Sequence, residues 1–178
     1  ANWTGADIER ISNILDFKGR IERENWIEQA RILATGGQTE FVNTYAAYDD
    51  LTDDEKEQLE DLQVLHCMET AFLEAFPDPT GKQLAAWAQM PRKVHPLVWR
   101  HRSGRRSLVR SNSATAVVGM DEGEGRELLG RLLAWATQPQ FVYVHEWQVD
   151  DLVIWNNTGA MHRVREYDPD HGRRLHRT

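Results

Sequence analysis

The residues with the types and spacing for chemistry cluster toward the C-terminal end of the sequence. An apolar run, Asp151-Leu152-Val153-Ile154-Trp155-Asn156-Asn157, ends in polar residues; His162 follows Asn157 by five positions, Arg173 comes eleven later, and Arg177 four after that. Imidazole is a good ligand for Fe(II). Guanidinium keeps its charge at any physiological pH and grips a carboxylate with two parallel hydrogen bonds. On a strand, positions 173, 175 and 177 share a face, so Arg173 and Arg177 can point the same way. A histidine next to such a pair suits a metal with a dianionic cosubstrate beside it. On spacing alone, an ordinary histidine and two surface arginines remain the favoured reading.

Other candidates carry less. Cys67, in Leu65-His66-Cys67-Met68, has no Cys-His-Asp arrangement around it in sequence and reads as a buried inert thiol. His145-Glu146 resembles the start of a zinc-protease helix motif, but position 149 is Val149 and the second histidine is missing. His66, His95, His101 and His171 have no partner at metal-ligand spacing and read as structural or surface residues.

The elements that must position the C-terminal residues are short. Ile8 to Leu15 reads as a strand, with a turn at Asp16-Phe17-Lys18-Gly19. Ala30 to Leu33 and Thr39 to Val42 read as strands around a tight turn at Thr35-Gly36-Gly37. Asn43 can cap a short helix over Thr44 to Asp50, and Thr52-Asp53-Asp54-Glu55 is a capping box for a helix running to about Gln63 that buries Leu59 and Leu62. Pro77 to Gly81 is a loop. Leu97 to Trp99 and Ser107 to Val109 form a hairpin around Arg102-Ser103-Gly104-Arg105. Glu124 to Thr137 has apolar residues at helical spacing. Phe141, Tyr143, His145 and Trp147 alternate along a strand, Leu152 to Asn156 is the next strand, and a last one begins at Arg174. Many short strands with two or three helices suggest a β-rich sandwich with helices outside.

The bulk properties exclude several classes. A chain of 178 residues can bury a sizeable core, and 40% hydrophobic with 28% charged residues is ordinary for a globular protein. A net charge of −7 argues against nucleic acid as the main partner. The charge is uneven: Asp49 to Asp61 is acidic, whereas Lys93 to Arg110 and Arg163 to Arg177 are basic. Solvated faces explain both, although the basic clusters could also attract a small anion. No apolar run has the length of a membrane span, and no signal pattern opens the sequence. The single cysteine makes the reducing cytoplasm the expected compartment.

Read together, several segments resemble the TauD/TfdA family of Fe(II)/2-oxoglutarate-dependent dioxygenases. Trp155-Asn156-Asn157, His162 and Arg173-Arg174-Leu175-His176-Arg177-Thr178 resemble its C-terminal signature; Gly36-Gly37-Gln38-Thr39-Glu40-Phe41 resembles its Gly-Gly-Asp-Thr segment, and Thr44 to Asp49 the helix after it. His95-Pro96-Leu97-Val98 with Ser103-Gly104-Arg105 resembles its hairpin, and Thr137 to Phe141 with Trp147 the strand before the signature. The match is collinear from Ala30 to Thr178 and leans toward the aryloxyalkanoate branch. The resemblance implies a mainly β fold with flanking helices, a double-stranded β-helix (jelly roll) of the clavaminate synthase-like type. It implies Fe(II), 2-oxoglutarate as cosubstrate and O2. By the same resemblance His162 is the distal iron ligand and, with Arg173 and Arg177, forms the catalytic set. Thr39 and Arg173 would hold the far carboxylate of 2-oxoglutarate, and Arg177 would meet a carboxylate or sulfonate nearby; Arg174 could exchange roles with either arginine. The implied activity is hydroxylation of a small anionic substrate, a sulfonate or aryloxyalkanoate, giving succinate and CO2, in a homodimer or homotetramer.

Two departures matter. Asn156 stands where the family usually has Asp, at a position read as structural. The His-x-Asp motif that would supply the other two iron ligands is missing, since no histidine is followed two positions later by Asp or Glu. The expectation is a single dioxygenase domain over residues 1–178 without its N-terminal part, with a further segment absent near 26–27, just after Glu24-Asn25-Trp26. The missing initiating Met and the ending at Thr178 read as cuts. Two alternatives stay open: an inactive remnant or small-carboxylate binding module of the same fold, and an interaction domain using the acidic helix and the arginine hairpin.

Overall fold

The computed structural model describes residues 36–148, 151–168, 170 and 175. The expected strands at Ile8 to Leu15, Ala30 to Leu33 and Arg174, and the side chains of Arg173 and Arg177, lie outside the described residues. By contact the chain divides into two units, one of Thr39–His145 with Val153–Val164, the other of Ala1–Gln38, Glu146–Leu152 and Arg165–Thr178.

The first unit holds every described strand and helix. In chain order these are β1 (Thr39–Asn43), α1 (Thr44–Asp49), α2 (Asp53–Leu59), β2 (Gln63–His66), α3 (Met68–Ala75), α4 (Gly81–Trp87), β3 (Lys93–Pro96), β4 (Val98–Arg100), β5 (Arg106–Leu108), β6 (Ala114–Val117), α5 (Glu122–Ala136), a 3-10 turn at Pro139–Phe141, β7 (Val142–His145) and β8 (Ala160–Val164). The strands pair antiparallel into three sheets with orders β7-β1-β8, β3-β2-β6 and β4-β5.

Local signals set most helix starts. The Asn43 side chain accepts from the Ala46 N–H at the head of α1. Thr52 and Glu55 close a capping box on α2, and Asp53, Asp54 and Glu55 place negative charge at its positive end. Thr80 and Gln83 repeat that box on α4, so the loop expected to reach Gly81 ends one residue earlier. α2 stops at Leu59 instead of running to about Gln63, because Gln63 is already the first residue of β2 and Leu62 N–H turns back onto the Leu59 carbonyl. Leu59 is buried and Leu62 half-buried, as the pattern requires.

α5 spans Glu122–Ala136, close to the expected Glu124 to Thr137, and buries Gly125, Leu129, Leu132 and Ala136. Leu129, Leu132 and Ala136 share one core cluster with Val64, Val98, Leu108 and Val117 from the strands and with Leu97 between β3 and β4. Trp135 Nε1–H donates to the Ala47 carbonyl at 2.9 Å and so ties α5 to α1. The hairpin is present with its strands one residue off expectation, pairing Val98 with Leu108 and Arg100 with Arg106, and Gly104 takes a positive φ in its turn.

Two strand expectations are corrected. Phe141 belongs to the 3-10 turn and is buried, whereas Tyr143 on β7 is exposed, so the two do not share a face. The run Leu152 to Asn156 is irregular and not a strand, and Leu152 and Ile154 are exposed. An apolar β-branched run is only a candidate strand until a partner closes its ladder.

Candidate functional site

β1 is the middle strand of its sheet, flanked by β7 and β8. Its residues alternate between two faces, and residues directly opposite across a ladder lie on the same face. Val42 is opposite Met161 and Val142 and points into the core. The other face carries Thr39 and Phe41. Phe41 is opposite His162 on β8 and Tyr143 on β7, while Thr39 is opposite Val164 and His145. The sheet therefore brings His162 and Thr39, expected from sequence to act together, onto one face and two residues apart in register.

Aromatic packing braces this face. The Trp155 ring lies 5.0 Å from the His162 ring and 5.3 Å from Phe41, with Phe41 and His162 at 6.2 Å. Trp155 Nε1–H donates to Asn157 Oδ1 at 2.7 Å, which orients the indole. On the opposite face Arg163 pairs with Glu40 directly across the ladder. Tyr143 and His145 also belong to the Thr39 face, their side chains 3.2 Å apart. Sequence reasoning dismissed His145 with the protease motif; its alternation with Tyr143 on a strand was the only signal pointing to this face.

The chain enters β8 through a tight turn. Asn156 Oδ1 accepts from the backbone N–H of Thr158 at 3.0 Å and from its hydroxyl at 2.8 Å, and the Asn156 carbonyl accepts from Gly159 N–H. The Gly159 carbonyl then accepts from Thr44 N–H at 3.2 Å, anchoring the turn to the start of α1. Asn156 is thus a turn residue, four positions before the start of the strand that bears His162.

In the second unit the Gly-Gly step before β1 is required on backbone grounds. Gly36 has φ +77°, and a Cβ there would lie 2.6 Å from the Glu166 carbonyl oxygen. Gly37 N–H donates to that same carbonyl, and Arg165 N–H donates to the Gln38 carbonyl.

The remaining titratable residues sit elsewhere. His66 Nδ1 is 3.0 Å from Ser113 Oγ, with the His95 ring 5.4 Å away. Burial, with His95 and Arg110 adding to it, holds His66 below the ordinary imidazole range. Cys67 is buried and N-caps α3. Among the described residues no three His, Cys, Asp or Glu side chains converge as metal ligands. The exposed His162 imidazole fits a metal as one ligand; among the described residues no complete donor set stands with it.

Residues 27–178 match the family described as taurine catabolism dioxygenase TauD, TfdA family. The chain belongs to that family. It is 41% identical over 145 residues to an alpha-ketoglutarate-dependent 2,4-dichlorophenoxyacetate dioxygenase from Burkholderia sp. (strain RASC), covering 80% of this chain and 48% of the relative. The structure of AAD-2 in complex with Mn(II) and N-oxalylglycine superposes with a TM-score of 0.71 and 39% identity, covering 79% of this chain and 56% of that one. The TauD-family chain here is mainly β with several helices, like those neighbours, and spans about half the length of the curated relatives it matches. Residues 1–34 match a different family, the RS2/RL21/YNQ2 HHH domain, and 36 residues are 61% identical to large ribosomal subunit protein bL21 from Roseobacter denitrificans, covering 20% of this chain and 17% of that protein. Glu24-Asn25-Trp26, taken from sequence as the lead-in to the metal motif, thus falls in the segment that resembles the ribosomal protein and before the start of the dioxygenase match.

Proposed function

We propose that residues from about Ile27 onward are the C-terminal half of an Fe(II)- and 2-oxoglutarate-dependent dioxygenase that hydroxylates a small anionic substrate of the aryloxyalkanoate or sulfonate type, giving succinate and CO2. The observation that carries this is the shared face of β1 and β8, where His162 and Thr39 lie together in a chain of this family. Iron with 2-oxoglutarate and O2 supplies the oxidising chemistry when bound. The chain's own part is to present the His162 imidazole, braced by Trp155 and Phe41, and the Thr39 hydroxyl on the same face. By the family's motif, Arg173 would hold the far carboxylate of 2-oxoglutarate with Thr39, and Arg177 would meet a second anionic group. Bidentate guanidinium pairing fixes both position and orientation, which is how such a site aligns one C–H bond.

Two protein ligands of the metal must come from sequence other than these 178 residues, which hold no His-x-Asp. We also propose that the boundary between residues 27 and 34 joins two unlike segments, replacing a gap inside one dioxygenase domain. The jelly-roll closure belongs to the whole domain, whose assembly we expect to be a homodimer or homotetramer acting without nucleic acid or membrane. The single cysteine supports a cytoplasmic location; among the described residues no helix is long and apolar enough to cross a membrane.

The second reading, an inactive remnant or small-carboxylate binding module, rests on the lack of a His-x-Asp motif in these 178 residues. Sequencing the gene, then assaying the protein that it encodes for Fe(II)-dependent succinate release with phenoxyacetates and alkylsulfonates, separates the two. Turnover that His162→Ala abolishes without unfolding supports the dioxygenase. A gene encoding only this chain, with 2-oxoglutarate binding and no turnover, establishes the remnant.

A further inference from the structure

A chain of side-chain hydrogen bonds runs behind the turn that leads into β8. Asn156 Nδ2 lies 3.1 Å from Tyr45 Oη, Tyr45 Oη 3.1 Å from His101 Nδ1, His101 Nε2 2.8 Å from Ser107 Oγ, and Ser107 Oγ 2.5 Å from the Thr158 carbonyl oxygen. It begins and ends in the 156–158 turn and passes through α1, His101 just beyond β4, and Ser107 on β5, making a closed loop beside the entry to the His162 strand.

The direction of every proton in this loop follows from its two ends. Asn156 Oδ1 accepts from the Thr158 backbone N–H, which can only donate, so the amide's other atom facing Tyr45 is Nδ2. Nδ2 donates to the phenol oxygen, and the phenol O–H therefore turns to His101 Nδ1. From the other end, the Thr158 carbonyl can only accept, so Ser107 donates to it and must accept from His101 Nε2–H. Both ends require the same state: His101 neutral, with its proton on Nε2. A second proton on Nδ1 would leave the phenol oxygen accepting twice and its O–H without a partner in the loop. Ser107 is fully buried and Tyr45 half-buried, so an unmade bond there is not replaced freely by water. A charged group lies against the loop at Arg105, whose guanidinium stacks 4.2 Å from the Tyr45 ring centroid and pairs with Asp49 at 3.3 Å.

We propose that Tyr45, His101 and Ser107 are positioning residues for the strand that presents His162, and that Asn156 sets the direction of their hydrogen bonds so that His101 stays neutral as the Nε2–H tautomer. The consequence for chemistry rests on the reading of His162 as a metal ligand; the tautomer and the bracing do not, and they are measurable on the 178-residue chain without metal.

The test is a long-range 1H–15N spectrum of the imidazole groups at neutral pH, with the His101 signals assigned by their loss in His101→Gln. The expected result is a neutral ring protonated on Nε2; an Nδ1–H ring or an imidazolium overturns the proposal. Asn156→Asp keeps the shape and replaces the donor by an acceptor, so His101 should gain a proton on Nδ1. An unchanged ring state in that variant refutes the role given to Asn156. In Tyr45→Phe, amide exchange along β8 should quicken about fivefold relative to β7 on the other edge of the same sheet, the equivalent of one net hydrogen bond of about 1 kcal/mol. Equal acceleration of both edges means general loosening and overturns the positioning role.

Discussion

Gly159→Ala probes the brace behind β8 directly. A Cβ on Gly159 would lie 2.5 Å from Tyr45 Cζ and 2.7 Å from Oη, and closer still to Cε2. The ring cannot slide aside freely, because its hydroxyl is held by His101 and Asn156 and its face is covered by Arg105. Forcing a methyl into such a site costs about 1–3 kcal/mol. Displacing the phenol also weakens two hydrogen bonds, each worth about 1 kcal/mol net. Some of the strain is relieved by that same displacement, so the two do not add fully, and the expected loss is about 3 kcal/mol. With an m-value of about 2 kcal/mol/M in urea, the unfolding midpoint should fall by about 1.5 M. The double variant Tyr45→Ala/Gly159→Ala isolates the cause, since removing the ring removes the obstacle. In the Tyr45→Ala background the glycine substitution should cost under about 1 kcal/mol, leaving a coupling of about 2 kcal/mol. A midpoint for Gly159→Ala within about 0.3 M of the parent, or additive losses in the double variant, would refute the packing argument.

Other outcomes follow from the same structure. Leu132→Ala empties a fully buried position between α5 and the sheets and should cost about 2–5 kcal/mol by denaturant unfolding. Thr52→Ala removes the capping box of α2 and should cost about 1 kcal/mol by the same measurement, with Thr52→Ser recovering most of it. Burial holds His66 below its unfolded value, so the unfolded state binds the proton first: stability is complete above about pH 6.5 and declines as pH falls from there through the folded value. Midpoints measured between neutral and mildly acidic pH should show that decline, and His66→Gln should flatten it; a decline unchanged in the variant assigns it to another group.

The sequence by itself determined whatever depends on neighbours a few positions apart. Asn43, Thr52 with Glu55, and Gly104 each meet their hydrogen-bond or φ requirement within one turn of chain, and the apolar spacing of α5 states its buried face outright. His162 and Thr39 were legible as a pair only through the family's motifs, because 122 intervening residues carry no local sign of their meeting. Tertiary structure decided the rest. β2, β3 and β6 are four residues each and exist because they pair with one another, which no short window reveals. The more apolar run at 152–156 takes no regular secondary structure, although its composition favours a strand. The loop through Asn156, Tyr45, His101 and Ser107 joins residues up to 111 positions apart. Its proton directions depend on a carbonyl and an amide at its two ends, a relation that exists only once β4, β5 and the turn before β8 are packed together.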